Sequence, residues 1–140
     1  FVQILETSIH SIGEASVIEI DNLNIYHASH LAMCRAINGL PDEPQYALID
    51  GNKVPEKLQI PALAVVKGDS KSLSISAASI VAKVSRDNYM VDLAQHYPEY
   101  GWEKNAGYPT KAHIFALKKC GVTPHHRVSF RPVHNILYQG

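Results

Sequence analysis

The chain has 140 residues, 46% of them hydrophobic, which is enough for a single globular domain, residues 1–140, with a buried core. Thirteen basic residues balance thirteen acidic ones, which excludes a nucleic-acid coat working through excess positive charge; any such contact must come from local clusters. The two cysteines, Cys34 and Cys120, form neither a CxxC pair nor a dense scaffold, which fits a reducing cytoplasm, and no apolar run approaches a membrane span or a secretion signal.

The chain opens on Phe1, and Val2, Ile4, Leu5 and Ile9 read as the end of an amphipathic helix already in progress, so the chain is expected to begin inside a domain. Alternating apolar residues from Ile12 to Ile20, with Gly13 among them, predict an irregular strand. Asn24 reads as a helix cap with Leu23 in staple position, opening a helix from Ile25 to about Asn38 that Gly39 and Pro41 stop. Strands are expected over Gln45–Asp50 and Ala62–Val66, both apolar enough for a sheet covered on two faces. A long helix follows from about Ser72 to Gln95, with Leu73, Ala77, Ile80, Val81, Val84 and Val91 on one side. The stretch from Tyr97 to Thr110 reads as loop, and a last helix runs from about Thr110 to Lys119, closed by Gly121. The tail carries His125, His126, Arg127 and Arg131. Strands and helices alternating in one domain give an α/β class.

Three features carry chemistry. Asp50 ends a strand, where α/β sheets gather ligands, but Asp-Gly is also a turn signal, which alone accounts for it. Asp87 falls about 50° from the centre of the apolar stripe of its helix, whereas Lys83 points about 80° away. A carboxylate facing an apolar layer is costly unless paired or metal-bound, which sets function ahead of a simple surface pair with Lys83. The basic run Lys67-Gly68-Asp69-Ser70-Lys71 precedes a helix and could hold phosphate through backbone N–H groups and both lysines. It lacks the GxxxxGK[ST] pattern and is weak as a lone motif, so solvated lysines beside an Asp/Ser helix cap are the default reading. Eight histidines offer no third ligand at a zinc spacing, and neither cysteine sits in a nucleophile motif. Tyr108, between Gly107 and Pro109, is an aromatic on a tight loop, more often a packing residue than a stacking platform.

Several blocks, in order, carry a family resemblance. They are Glu19-Ile20-Asp21-Asn22-Leu23-Asn24-Ile25 with His27-Ala28-Ser29, then Leu48-Ile49-Asp50-Gly51-Asn52 and Val65-Val66-Lys67-Gly68-Asp69-Ser70-Lys71. After these come Ile75-Ser76-Ala77-Ala78-Ser79-Ile80-Val81-Ala82-Lys83-Val84-Ser85-Arg86-Asp87, Tyr97-Pro98-Glu99-Tyr100-Gly101-Trp102, Gly107-Tyr108-Pro109-Thr110 and His125-His126-Arg127 leading to Ser129-Phe130. Across roughly Ser11 to Val133 the chain resembles bacterial ribonuclease HII, the type 2 ribonuclease H family. The resemblance implies a ribonuclease H-like three-layer α/β fold with a mixed central sheet, whose first strands this chain would lack. It implies a metal-dependent endonuclease that hydrolyses the RNA strand of RNA–DNA hybrids and cuts at ribonucleotides embedded in DNA. Two of the family's four carboxylates map onto Asp50 and Asp87, which would serve as catalytic residues and as ligands of Mn²⁺ or Mg²⁺. Two such ions would stand about 3.5–4 Å apart, one activating water and one stabilising the leaving oxygen. Asn52, Lys67, Gly68, Asp69, Ser70, Lys71, Tyr108 and Arg127 would bind substrate, with Tyr108 on the deoxyribose beyond the ribonucleotide.

The family's Asp-Glu-Ala-Gly-Arg-Gly motif, which supplies the other two carboxylates and senses the ribose 2′-OH, is absent from the sequence. Asn105-Ala106 stands where His-Lys is frequent, and Val128 replaces a second tail arginine. The isolated chain is therefore expected to be inactive, and the complete protein to be a cytoplasmic monomer. The rival reading is a non-catalytic fragment that still holds hybrid backbone, or that self-associates through a sheet edge left open by missing strands.

Overall fold

In a computed structural model, residues 1–105, 107–127 and Val133 are described. Val128, Ser129, Phe130, Arg131 and Ala106 lie outside them. The described chain runs α1 (Val2–Thr7), α2 (Val17–Asn38), β1 (Ala47–Asp50), β2 (Ala62–Val65), a 3-10 turn (Gly68–Ser70) and α3 (Leu73–His96). A second 3-10 turn (Pro98–Tyr100), α4 (Trp102–Asn105) and α5 (Lys111–Cys120) follow. These residues group into two compact units. One comprises Phe1–Ala15 with Ile25–Lys83, the other Ser16–Asn24 with the chain from Val84 onward. The unit boundaries fall at Asn24 within α2 and between Lys83 and Val84 within α3.

The strand expected over Ile12–Ile20 is not formed; α2 begins there instead, at Val17. Its cause is a reciprocal capping box. The Glu19 N–H donates to Ser16 Oγ at 3.1 Å, and the Ser16 N–H donates to Glu19 Oε1 at 3.0 Å. Two of the donors that a helix start leaves unpaired are thereby satisfied, which outweighs the local apolar alternation. Asn24 interrupts α2 with φ 69° and ψ 168°, so the helix expected from Ile25 is the second half of a broken one. The residues before α2 lie against that second half in the first unit. A Cβ at Gly13 would strike the Ala32 carbonyl and the Ala36 backbone, and Arg35 donates to the Glu14 carbonyl at 2.8 Å.

In the first unit β1 and β2 pair in parallel, with Ala47 opposite Ala62 and Asp50 opposite Val65. Both strands are shorter than expected by a residue or two. Ala47 and Ile49 are buried, while Leu48 and its register partner Leu63 are 42% and 52% exposed. The described residues therefore cover one face of this pair, not both. Ala28, Ile75 and Val81 are also buried in this unit.

Helix α3 starts where the sequence places it, because Ser72 Oγ accepts the Ile75 N–H at 3.3 Å. The stripe is only partly realised: Val81 is buried, but Ile80 and Val91 are exposed, and Leu73 is 87% exposed. In the second unit Met90, Ala94, Tyr100, Trp102, Ala116, Leu117 and Val133 form a buried cluster, with Leu93, Tyr97 and Val122 against it. Tyr100 and Trp102 stack there, ring centroids 5.0 Å apart. The expected loop around them holds a 3-10 turn and α4, both short. Asn105 explains the order: its backbone N–H donates to Gly101, and its side chain donates to the Tyr100 carbonyl at 2.7 Å. Helix α5 is capped by Thr110 Oγ1, which accepts from the His113 N–H, and is closed by the Gly121 N–H donating to Leu117.

Candidate active site

Asp50 stands at the carboxyl end of β1, exposed, with the next ladder bond, Gly51 N–H to Val65 carbonyl at 3.0 Å, directly beyond it. The parallel register carries β2 past this point and delivers Lys67–Lys71 beside the carboxylate. The Gly68 N–H donates to Asp50 Oδ1 at 2.9 Å. That bond fixes one carboxylate oxygen and leaves the side chain accessible. An added Cβ at Gly68 would lie 2.6 Å from Ile75 Cδ1, so the end of that buried side chain would have to shift to admit one. The preceding Lys67 takes a left-handed conformation, φ 53° and ψ 42°, which turns the chain into the 3-10 turn.

Within that turn the Ser70 and Lys71 N–H groups donate to Lys67 and Gly68, and the Ser72 N–H to Gly68. Ser70 Oγ donates to the Lys67 carbonyl at 2.8 Å. The backbone donors of Gly68, Ser70 and Lys71, expected to cradle phosphate, thus serve the chain's own acceptors, as does that of Ser72. The exposed side chains of Lys67 and Lys71 are left as the cationic groups of the loop. Asn52, Asp69 and Ser70 are exposed; Gly68 is buried. The first unit accordingly brings together Asp50 and the loop from Lys67 to Lys71.

The other candidates belong to the second unit. Asp87 is half-buried on α3, while Lys83 and Arg86 are exposed, as the helical count places them. Tyr108 is 72% exposed, and Arg127 is half-buried.

Near Tyr108 lies an arrangement that no local motif announces. His113 is 3% exposed and His126 7%. His113 Nδ1 lies 2.9 Å from the Tyr108 carbonyl, and Trp102 Nε1–H donates to His113 Nε2 at 3.2 Å. The Nε2 atoms of His113 and His126 are 3.2 Å apart, and the Thr123 N–H donates to His126 Nδ1 at 3.0 Å. Burial, then the neighbouring His113 and His125, lowers the His126 pKa to about 4. Burial is also the leading reason that the Tyr100 hydroxyl, which donates to the Gly121 carbonyl at 2.6 Å, has a raised pKa.

Asp50 and Asp87 offer carboxylate oxygens, the donor type that Mg²⁺ and Mn²⁺ take. The donor number falls short: among the described residues no group of three or more His, Cys, Asp or Glu side chains could hold a metal ion. Nor, among those residues, is any helix long and apolar enough to cross a membrane.

Comparison with known proteins agrees with the sequence blocks. The family model described as Ribonuclease HII matches residues 2–133. A ribonuclease HII of Ruegeria sp. (strain TM1040) is 62% identical over 137 residues, covering 98% of this chain and 60% of that protein. That of Ruegeria pomeroyi is 65% identical over 129 residues, covering 92% of this chain and 55% of the relative. The chain therefore spans a little over half the length of these relatives. The crystal structure of the ribonuclease H2 from Pyrococcus horikoshii OT3 superposes with a TM-score of 0.70 at 26% identity, covering 89% of this chain and 66% of that one. The α/β ribonuclease H-like fold read from the sequence is the fold of that neighbour. On the profile match and these identities, the chain belongs to the ribonuclease HII family.

Proposed function

We propose that the full-length protein containing this chain is a divalent-metal-dependent endonuclease. It would hydrolyse the RNA strand of RNA–DNA hybrids and cut at ribonucleotides embedded in DNA. The observation that carries this reading is the Asp50 carboxylate, oriented by the Gly68 N–H at the end of a parallel strand and flanked by exposed lysines. Such a carboxylate is a preset oxygen donor beside cations suited to a polyanionic backbone. Lys67 and Lys71 hold phosphates, Tyr108 packs on a sugar, and Arg127 and Asn52 add polar contacts along the strand. Asp50 in the first unit and Asp87 in the second are each carboxylates of the type that Mn²⁺ or Mg²⁺ takes as ligands.

On this reading the 140-residue chain alone does not cleave, whereas the full-length protein does. The test is cleavage of a duplex containing one ribonucleotide, with Mn²⁺ or Mg²⁺, by the chain and by the full-length protein. Robust cutting by the isolated chain, unaffected by Asp50→Asn, would sink this reading. The rival is a fragment that binds hybrid without cutting it. Hybrid binding by the chain with no cleavage by the full-length protein would select that rival.

A further inference from the structure

The direction of each hydrogen bond in the buried histidine pair follows from its unambiguous donors. The Thr123 N–H can only donate, so His126 Nδ1 is an acceptor and its proton sits on Nε2. The indole Nε1–H of Trp102 can only donate, so His113 Nε2 is likewise an acceptor. Two donors, Trp102 Nε1–H and His126 Nε2–H, then converge on His113 Nε2, and the His113 proton is forced onto Nδ1. From there it is donated to the Tyr108 carbonyl at 2.9 Å. The same carbonyl accepts the Thr110 N–H at 2.8 Å, while the Tyr108 N–H donates to Asn105 at 2.9 Å. Asn105 Oδ1 accepts the Gly107 N–H at 2.8 Å.

The backbone of Tyr108 is thus held on both sides by buried groups, His113 and Asn105, yet the residue is 72% exposed. A large aromatic side chain left in water on an anchored loop loses little further backbone freedom when it meets a ligand.

We propose that His113, set in its Nδ1–H form by Trp102 and His126, is a positioning residue that presents the Tyr108 ring to the substrate. The proposal rests on the reading of Tyr108 as a substrate contact, and it assigns a role to a histidine that does not itself touch substrate.

The test uses the full-length protein and a duplex containing one ribonucleotide, with binding measured by fluorescence anisotropy without metal. The amide nitrogen of Asn overlays His Nδ1, and that of Gln overlays Nε2, so His113→Asn keeps the donor to Tyr108 and His113→Gln loses it. Tyr108→Ala should raise Kd on the order of tenfold, the loss of one aromatic contact, and His113→Gln by about the same factor. His113→Asn should stay within about twofold, and adding His113→Gln to Tyr108→Ala should weaken binding no further. In the unsubstituted protein, ¹⁵N NMR of the imidazoles should show Nδ1–H in His113 and Nε2–H in His126. That measurement stands even if a substituted protein fails to fold, and the opposite tautomer at His113 overturns the proposal. If Tyr108→Ala leaves Kd unchanged, the substrate contact itself fails and the positioning role goes with it. If Tyr108→Ala weakens binding but the two effects multiply, or Asn behaves as Gln does, the positioning role alone is overturned.

Discussion

Acid should unfold this protein through His126 in a manner that one substitution can isolate. The ring is 7% exposed, and burial leads the causes that lower its pKa from 6.5 to about 4. The unfolded chain therefore takes up a proton first as pH falls. The stability at stake is fully present above about pH 6.5, declines between 6.5 and 4, and is lost below that window. Going from about pH 7.5 to about pH 4.5, a shift of this size removes roughly 2–3 kcal/mol. That is a large share of the roughly 5–15 kcal/mol by which domains are stable. Urea titrations across the window, followed by the fluorescence of the single, buried Trp102, would measure it. His126→Asn removes the titrating ring while keeping an oxygen to accept the Thr123 N–H. Its stability should fall less steeply with acid, by roughly 2–3 kcal/mol over the same range, other groups contributing equally to both proteins. Identical pH slopes in the two proteins would refute the buried, neutral state of His126.

Asp50→Asn keeps an oxygen for the Gly68 N–H, so urea stability should hold, while hybrid cleavage by the full-length protein falls by roughly 100-fold or more. Unimpaired cleavage would remove Asp50 from the chemistry. Lys67→Gly releases a side chain from φ 53° and should raise stability by about 1 kcal/mol. The same change should weaken hybrid binding and reduce its salt slope by about one, as anisotropy at several salt concentrations would show. Tyr100→Phe deletes the donor to the Gly121 carbonyl and should cost about 1 kcal/mol in urea denaturation; an unchanged midpoint would contradict a net role for that bond.

What the sequence made legible, and what it hid, divides by the range of the interaction. The long α3 and the capped α5 were readable because their signals are local: a period near 3.6, Ser72 and Thr110 as caps, Gly121 as a stop. The same count set Asp87 inside a buried arc, where it is only half-buried, because the stripe's own Ile80 and Val91 are exposed. The start of α2 was equally local and was misread, because Val17, Ile18 and Ile20 fit an alternating strand as well as a helix. The Ser16–Glu19 box decides between them, and it is written in the sequence as Ser-x-x-Glu. Helix α4 has four residues, too few for any period to show, and depends on Asn105 reaching back to Tyr100.

The site divides in the same way. Asp50 and the run from Lys67 to Lys71 could each be named, but their meeting depends on a parallel register that sets Asp50 opposite Val65, three residues before Gly68. No local signal fixes that register. The histidine pair lies further from view. His113 and His126 are thirteen residues apart, and each alone reads as an ordinary structural histidine. Only the packing that brings Trp102, Thr123 and Tyr108 around them determines which nitrogen carries the proton. The protonated nitrogen of His113 is therefore set by its neighbours in space, and Tyr108, exposed at the end of that chain of donors, is held by His113 of α5 as well as by Asn105 and Thr110 of its own loop.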